Sequence, residues 1–241
     1  TFIVTYRAIS ISTGYADGTH SVTVYGNGFN IDGWADYRCR FRDEKGNTAY
    51  SAAISSSSDT HMTCRSPVWY FAATHKPTTL YLMEHMNNDV TWVGAARTWV
   101  YQVNYHSAAT STKSSNSKGG KSVVLTGNGF DSERSDYTCV FRNALGYERV
   151  SSKTSPTSST SLTCTTPSFG DNLRLTEVIL KESDSDVLYR GHDKWERVFF
   201  FARPFYLGWH SGKNIEVATY FDDTSSMNII LESPLKDSGV S

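Results

Sequence analysis

The chain has 241 residues, room for two ordinary domains. Its formal net charge is −1 with both signs interspersed, so no basic stripe exists to hold a phosphate backbone, and nucleic acid is excluded as an expected partner. No apolar run approaches the roughly 20 residues of a membrane-crossing helix, so direct membrane insertion is not expected either.

Residues 1–6, TFIVTY, read as a strand with no domain of its own. They align with VYQVNY at 100–105, so they are expected to be the closing strand of a preceding repeat, or a donor strand. Residues 7–20 form a polar approach. Residues 21–29, SVTVYGNGF, begin as a strand with Val22 and Val24 alternating. The strand then meets Gly26, Asn27 and Gly28, which tolerate φ > 0 and predict a bulge or sharp turn, and Phe29 swings into a core. A loop carrying Trp34 follows. Tyr37, Cys39 and Phe41 alternate onto one face of a strand, with Arg38, Arg40 and Arg42 toward water. Residues 44–47 are a turn, 48–54 a weak strand, and 55–58 a serine loop. A short strand at 61–65 delivers Cys64, and Pro67 ends it. Trp69, Tyr70 and Phe71 come next. A hairpin runs from Leu80 through the Asn87-Asn88-Asp89 turn and returns over 90–93. Residues 99–105 close the unit.

The same text then recurs. SVVLTGNGF at 122–130 repeats the glycine signature as Gly127, Asn128, Gly129 and Phe130. Tyr137, Cys139 and Phe141 repeat the strand, and Cys164 and Pro167 repeat its partner. The domains are therefore read as 7–105 and 106–205, with the Ser/Thr/Gly-rich stretch 106–120 as linker. The second hairpin runs 175–181, turns at 183–186 and returns over 187–189. Residues 195–202, with Phe199, Phe200 and Phe201, close it, and Pro204 stops that strand. Residues 206–241 read as a partial third repeat or a tail. The lack of an initiator Met or signal-peptide pattern reads as a processed or excised chain.

The four cysteines, Cys39, Cys64, Cys139 and Cys164, pair off by repeat, each pair 25 positions apart. Four reduced thiols are the alternative, but identical spacing in two diverged repeats favours disulfides and an oxidising compartment. Many short strands with turn signals between them, and no convincing 3.6-residue period, predict an all-β chain of two sandwiches.

The order G-x-G-F, Y-x-C-x-F, then T-C-x-x-P resembles the IPT/TIG domain, an immunoglobulin-like fold known from plexins, other surface proteins, some transcription factors and some carbohydrate-active enzymes. The matching residues are Gly26, Gly28, Phe29, Tyr37, Cys39, Phe41, Cys64 and Pro67, then Gly127, Gly129, Phe130, Tyr137, Cys139, Phe141, Cys164 and Pro167. The resemblance implies tandem immunoglobulin-like sandwiches with structural roles for these residues. The cysteines look like those of the extracellular members.

No catalytic pattern competes. Gly26-x-Gly28 lacks the third glycine and the helix of a dinucleotide fingerprint, and Gly120-Lys121-Ser122 lacks the rest of a phosphate loop. No G-x-S-x-G elbow and no H-E-x-x-H pair occurs. His61 and Cys64 form a metal pair only if Cys64 is reduced. Asp184 with Asp186, and Asp222 with Asp223, fit turns better than calcium. No catalytic residue, metal or cofactor is therefore expected. The aromatics Trp69, Tyr70 and Phe71, and Phe199, Phe200 and Phe201, either pack between repeats or contact another chain or a glycan. The twelve Asn supply no N-x-S/T sequon. The serine stretches at 55–58, 107–117 and 151–161 are either O-linked sugar sites or ordinary loops.

The expected function is a non-enzymatic structural or adhesive module of an extracellular or cell-surface assembly, such as a fibre, sheath or stalk. Its partners would be copies of itself or other extracellular proteins, with glycans as a further class. Head-to-tail association would use Phe2, Ile3 and Val4 as a donated strand. The alternatives are a ligand-binding segment of a plexin-like receptor ectodomain, or an accessory carbohydrate-binding module of a secreted enzyme.

Overall fold

A computed structural model describes residues 3–73, 77–84, 88–94, 97–109, 114–170, 175–192, 198–202, 204–207, 215–221 and 227–230. The chain divides into two compact units. The first holds Thr1–Tyr105, Thr126–Ser135 and Ser155–Leu162, and the second holds His106–Leu125, Asp136–Thr154 and Thr163–Ser241.

All regular structure among the described residues is β. The first repeat contains β1 (Thr5–Ile9), β2 (Thr13–Tyr15), β3 (Ser21–Asn27), β4 (Asp36–Arg42), β5 (Thr48–Tyr50), β6 (Ile54–Ser55), β7 (His61–Arg65), β8 (Thr78–Glu84), β9 (Asn88–Asp89), β10 (Thr91–Trp92) and β11 (Thr98–Gln102). One sheet has the order β10-β1-β3-β7, and the other has β2-β11-β8-β4-β5 with β6 on β4 and β9 on β8. The alternation seen in the sequence fixes which face turns inward. Val22 and Val24 are fully buried on β3, and so are Tyr37, Cys39 and Phe41 on β4. Cys39 is bonded to Cys64 on β7 with their Cα atoms 6.3 Å apart, stapling one sheet to the other.

The second repeat follows with β12 (Asn104–Ala109), β13 (Ser114–Asn116), β14 (Ser122–Asn128), β15 (Tyr137–Asn143), β16 (Glu148–Val150), β17 (Ser161–Thr165), β18 (Leu175–Glu182), β19 (Ser185–Asp186), β20 (Leu188–Tyr189) and β21 (Val198–Ala202). Its sheets run β17-β14-β12-β20 and β13-β21-β18-β15-β16 with β19 on β18. Cys139 is bonded to Cys164.

The structure departs from the reading of 106–120 as a linker. Residues 104–109 and 114–116 are strands with counterparts in the first repeat, β1 and β2. In each case the opening segment first sits beside the glycine-signature strand. It then changes sheets and runs parallel to the closing strand, β2 on β11 and β13 on β21. Polar Ser/Thr composition concealed this because a segment shared between two sheets needs only short alternating stretches. The expected strand 1–6 divides likewise. Thr5 and Tyr6 open β1 and pair with Asn27 and Gly26, whereas Ile3 and Val4 lie outside any strand. The alignment of TFIVTY with VYQVNY is sound, but a strand boundary falls inside it. Thr5-Tyr6 and Asn104-Tyr105 both begin opening strands.

The hairpin returns also split. Asn88–Asp89 pairs with β8, and Thr91–Trp92 crosses to pair parallel with β1. Pro204 does not merely stop a strand. It begins β22 (Pro204–Leu207), which pairs with β23 (Ile215–Phe221), and β23 pairs with β24 (Met227–Ile230). Residues 231–241 and the Asp222–Asp223 pair lie outside the described residues.

Candidate functional site

The glycine signature performs a structural task. A Cβ on Gly26 would strike the Thr5 carbonyl oxygen, and one on Gly127 would strike that of Asn104. Glycine is needed there because the opening strand passes too close for a side chain. Gly28 and Gly129 supply the turn, with φ of 80° and 83°. Phe29 and Phe130 then enter the core, 2% and 1% exposed. The Asn27 and Asn128 backbones end their strands.

The aromatic run after Pro67 splits by alternation. Trp69 is buried, its ring stacked on Tyr101 with centroids 4.7 Å apart and planes 11° from parallel. Its backbone N–H donates to the Ala16 carbonyl at 2.7 Å, and its Nε1 donates to the Ala72 carbonyl at 3.2 Å. Trp69, 1% exposed, is thus a core residue and drops out of the candidate contacts, because Tyr101 of the closing strand covers its ring. Phe71 meets its edge at 5.1 Å and is half-buried. Tyr70 points the other way and is 62% exposed.

These residues wall a cavity of about 540 Å³ that lies in the first unit. The turn residues Asp43, Glu44, Lys45 and Asn47 form another side, and Asp131, Ser132, Glu133, Arg134 and Ser159 complete it. Asp43 is held in place by accepting from the Asn47 backbone and side-chain nitrogens, both at 2.8 Å. Lys45 Nζ donates to Glu133 Oε1 at 2.7 Å, and this bond raises the lysine pKa. Tyr101 also lines the cavity. Its hydroxyl is buried and hydrogen-bonds to none of the described residues, and burial raises its pKa far above the ordinary tyrosine range.

A second exposed feature was legible in the sequence but unranked. Trp34 is 81% exposed and Ile31 57% exposed, on the loop between β3 and β4. Gly33 holds that loop in a left-handed conformation, with φ of 76°. A Trp within a Gly/Asp-rich loop was the available signal.

The remaining candidates are placed as follows. Ile3 is 73% exposed and Val4 half-buried, and their backbone passes near Gly28. Phe2 lies outside the described residues. Phe199, Phe200 and Phe201 belong to β21, where Phe200 stands opposite Ser114 on one side and Leu175 on the other. His61 is exposed on β7, and its neighbour Cys64 is spent in the disulfide. Asp184 sits in a tight turn with φ of 66°, and Asp186 pairs with Lys181 at 3.5 Å. Among the described residues no cluster of three or more His, Cys, Asp or Glu is arranged to hold a metal.

The IPT/TIG domain profile matches residues 5–94 and again 108–189, the two repeats just described. The chain belongs to the IPT/TIG domain family. Its two domains are the immunoglobulin-like sandwiches of that family, each closed by one disulfide. No curated protein matches the sequence. Among solved structures, the full extracellular region of plexin A4 is similar over 97% of this chain and 21% of that one, at 11% identity and a TM-score of 0.31. A second structure of that region, with domains 1 to 8, is similar over 82% of this chain and 18% of that one, at 12% identity and a TM-score of 0.29. This IPT/TIG pair therefore spans about a fifth of the length of those ectodomain chains.

Proposed function

We propose that this IPT/TIG pair is a non-enzymatic contact module of an extracellular or cell-surface protein. The disulfides support the compartment, because such bonds persist where thiols are not kept reduced. The observation that carries the contact role is the exposed Trp34 beside Ile31. Tryptophan is the side chain most enriched at binding hot spots, and a glycine-shaped loop tip presents it to a partner. Tyr70, 62% exposed, is a further candidate contact, and the Phe199, Phe200 and Phe201 group of β21 is a separate one. The test is adhesion of purified chain to extracellular matrix and to cells. Trp34→Ala should lower adhesion with melting temperature and disulfides unchanged. Undiminished adhesion by a folded Trp34→Ala variant would remove this surface from the reading.

A second reading, head-to-tail assembly through Phe2, Ile3 and Val4, has the exposure of Ile3 in its favour. A strand offered at an open edge would join unlike surfaces and propagate. Deleting residues 1–4 should then abolish concentration-dependent light scattering. Equal scattering with and without them would exclude it.

A further inference from the structure

We infer that the outward face of β4 in the first repeat binds a sulfated glycan through Arg38, Arg40, Arg42 and Arg97. This goes beyond the contact-module reading. It uses residues other than Trp34 and shares with that reading only the extracellular compartment. Period-two alternation brings the arginines together. Tyr37, Cys39 and Phe41 are fully buried, so Arg38, Arg40 and Arg42 stand on the opposite face. Alternate residues of a strand lie roughly 6.8 Å apart, so the three side chains are rooted in a line about 13 Å long. Antiparallel register sets Tyr50 on one side of Arg40 and Tyr81 on the other. The guanidinium groups of Arg40 and Arg97 each stand 4.3 Å from the centre of the Tyr81 ring. Tyr50 is 49% exposed.

The whole-chain charge of −1 conceals this patch. Against the arginines the face sets Asp36, at the start of β4, and Asp89, which bonds Arg40 at 2.9 Å. Arg38 and Arg42 form no ion pair with any described residue. The turn beyond the strand carries Asp43 and Glu44 against Lys45, which confines the patch to β4 and its neighbours. The sandwich itself does not require these side chains. The second repeat has Thr138 and Val140 in the places of Arg38 and Arg40, and Ile179 in that of Tyr81. Arginines that the shared fold can do without, and that few carboxylates neutralise, point to an anionic partner. The sheet then selects among anions. β4 lies between β5 and β8, so both of its backbone edges are paired, and a peptide could add no strand hydrogen bonds here. Recognition falls to side chains alone. Sulfate oxygens accept from the guanidinium fork, and a pyranose lays its apolar C–H face on an exposed ring such as Tyr50.

The experiment is calorimetry on the full 241-residue chain at physiological salt. The probes are heparin, fully desulfated heparin, which keeps only carboxylates, and polyglutamate. Heparin should bind, more weakly as salt is raised, and the other two should bind about tenfold less tightly or worse. Arg38→Thr combined with Arg42→Gln should weaken heparin binding about tenfold at unchanged melting temperature. Threonine is the residue at the corresponding position 138, so the exchange suits the strand. Arg149→Gln combined with Lys153→Gln removes the same charge from exposed positions of the second repeat and should leave binding unchanged. The inference is overturned if heparin fails to bind, if desulfated heparin or polyglutamate binds as tightly, or if the two double variants lose binding equally. Failure of heparin to bind would leave the contact-module reading standing. Heparin binding that persists in a Trp34→Ala chain that no longer adheres would support this inference independently of that surface.

Discussion

The two repeats share a skeleton and differ on one outward sheet face. In both, the cysteine of the central strand donates its backbone N–H to a serine hydroxyl twelve residues on, Cys39 to Ser51 at 3.0 Å and Cys139 to Ser151 at 2.9 Å. In both, a buried tyrosine donates to a glutamate on the neighbouring strand, Tyr37 to Glu84 at 3.1 Å and Tyr137 to Glu182 at 2.7 Å. The face directed away from the disulfide does not match. In the first repeat it carries Arg40 opposite Tyr81, with the guanidinium 4.3 Å from the ring centroid and bonded to Asp89 at 2.9 Å. In the second it carries Val140 opposite Ile179, only 2% and 7% exposed. Diverged sequences keep what closes the sandwich. The reverse face is free to become a charged, half-solvated surface in one copy and an enclosed apolar one in the other.

The shared skeleton can be broken at its largest element. Phe29→Ala and Phe130→Ala should each cost about 3–5 kcal/mol, as truncations of fully buried aromatics do. Denaturant unfolding of each variant measures this, and unequal losses would show that the signature is not equivalent in the two copies. Next are the disulfides. Replacing either pair by alanine should cost roughly 3 kcal/mol, because chain-entropy stabilisation depends on loop length and both loops span 25 residues. A marked inequality in thermal unfolding would trace to native packing rather than to the unfolded chain.

The outward face gives a smaller and asymmetric effect. Val140→Ala should destabilise by about 1.5 kcal/mol, the worth of two buried methylene-sized groups. Arg40→Ala should cost under about 1 kcal/mol, since its carboxylate partner is half-exposed. Equal costs would mean that the two faces are not differently covered. The last effect is of pH. Burial raises the phenol pKa of Tyr6, Tyr37 and Tyr101 above the ordinary tyrosine value. A raised folded pKa means the folded state holds its proton more tightly. The stabilisation is complete below about pH 10 and is lost as pH rises through the folded values. Tyrosinate absorbance should therefore rise together with loss of structure in alkali, and Tyr101→Phe should move that transition upward. Early ionisation of Tyr101 in an intact fold would contradict its burial.

Much of this IPT/TIG pair was determined by sequence alone. Period-two alternation at Val22/Val24 and Tyr37/Cys39/Phe41 assigns inward faces, because a strand has no other way to divide its side chains. Equal cysteine spacing in two repeats names the disulfides, and Gly-Asn-Gly-Phe names the turns. Three things were decided only by the tertiary structure. Residues 106–109 and 114–116 of the Ser/Thr-rich stretch became sheet because their pairing partners lie far along the chain, where local composition carries no information. Gly26 and Gly127 proved to be glycines for close approach, a constraint imposed by the opening strand rather than by their own backbone angles. Trp69 went to the core and Tyr70 to the cavity wall because alternation fixes their opposition but not its direction. That direction was set by Tyr101 on β11, which stacks on the Trp69 ring, and by the Ala16 carbonyl, which accepts from its backbone N–H.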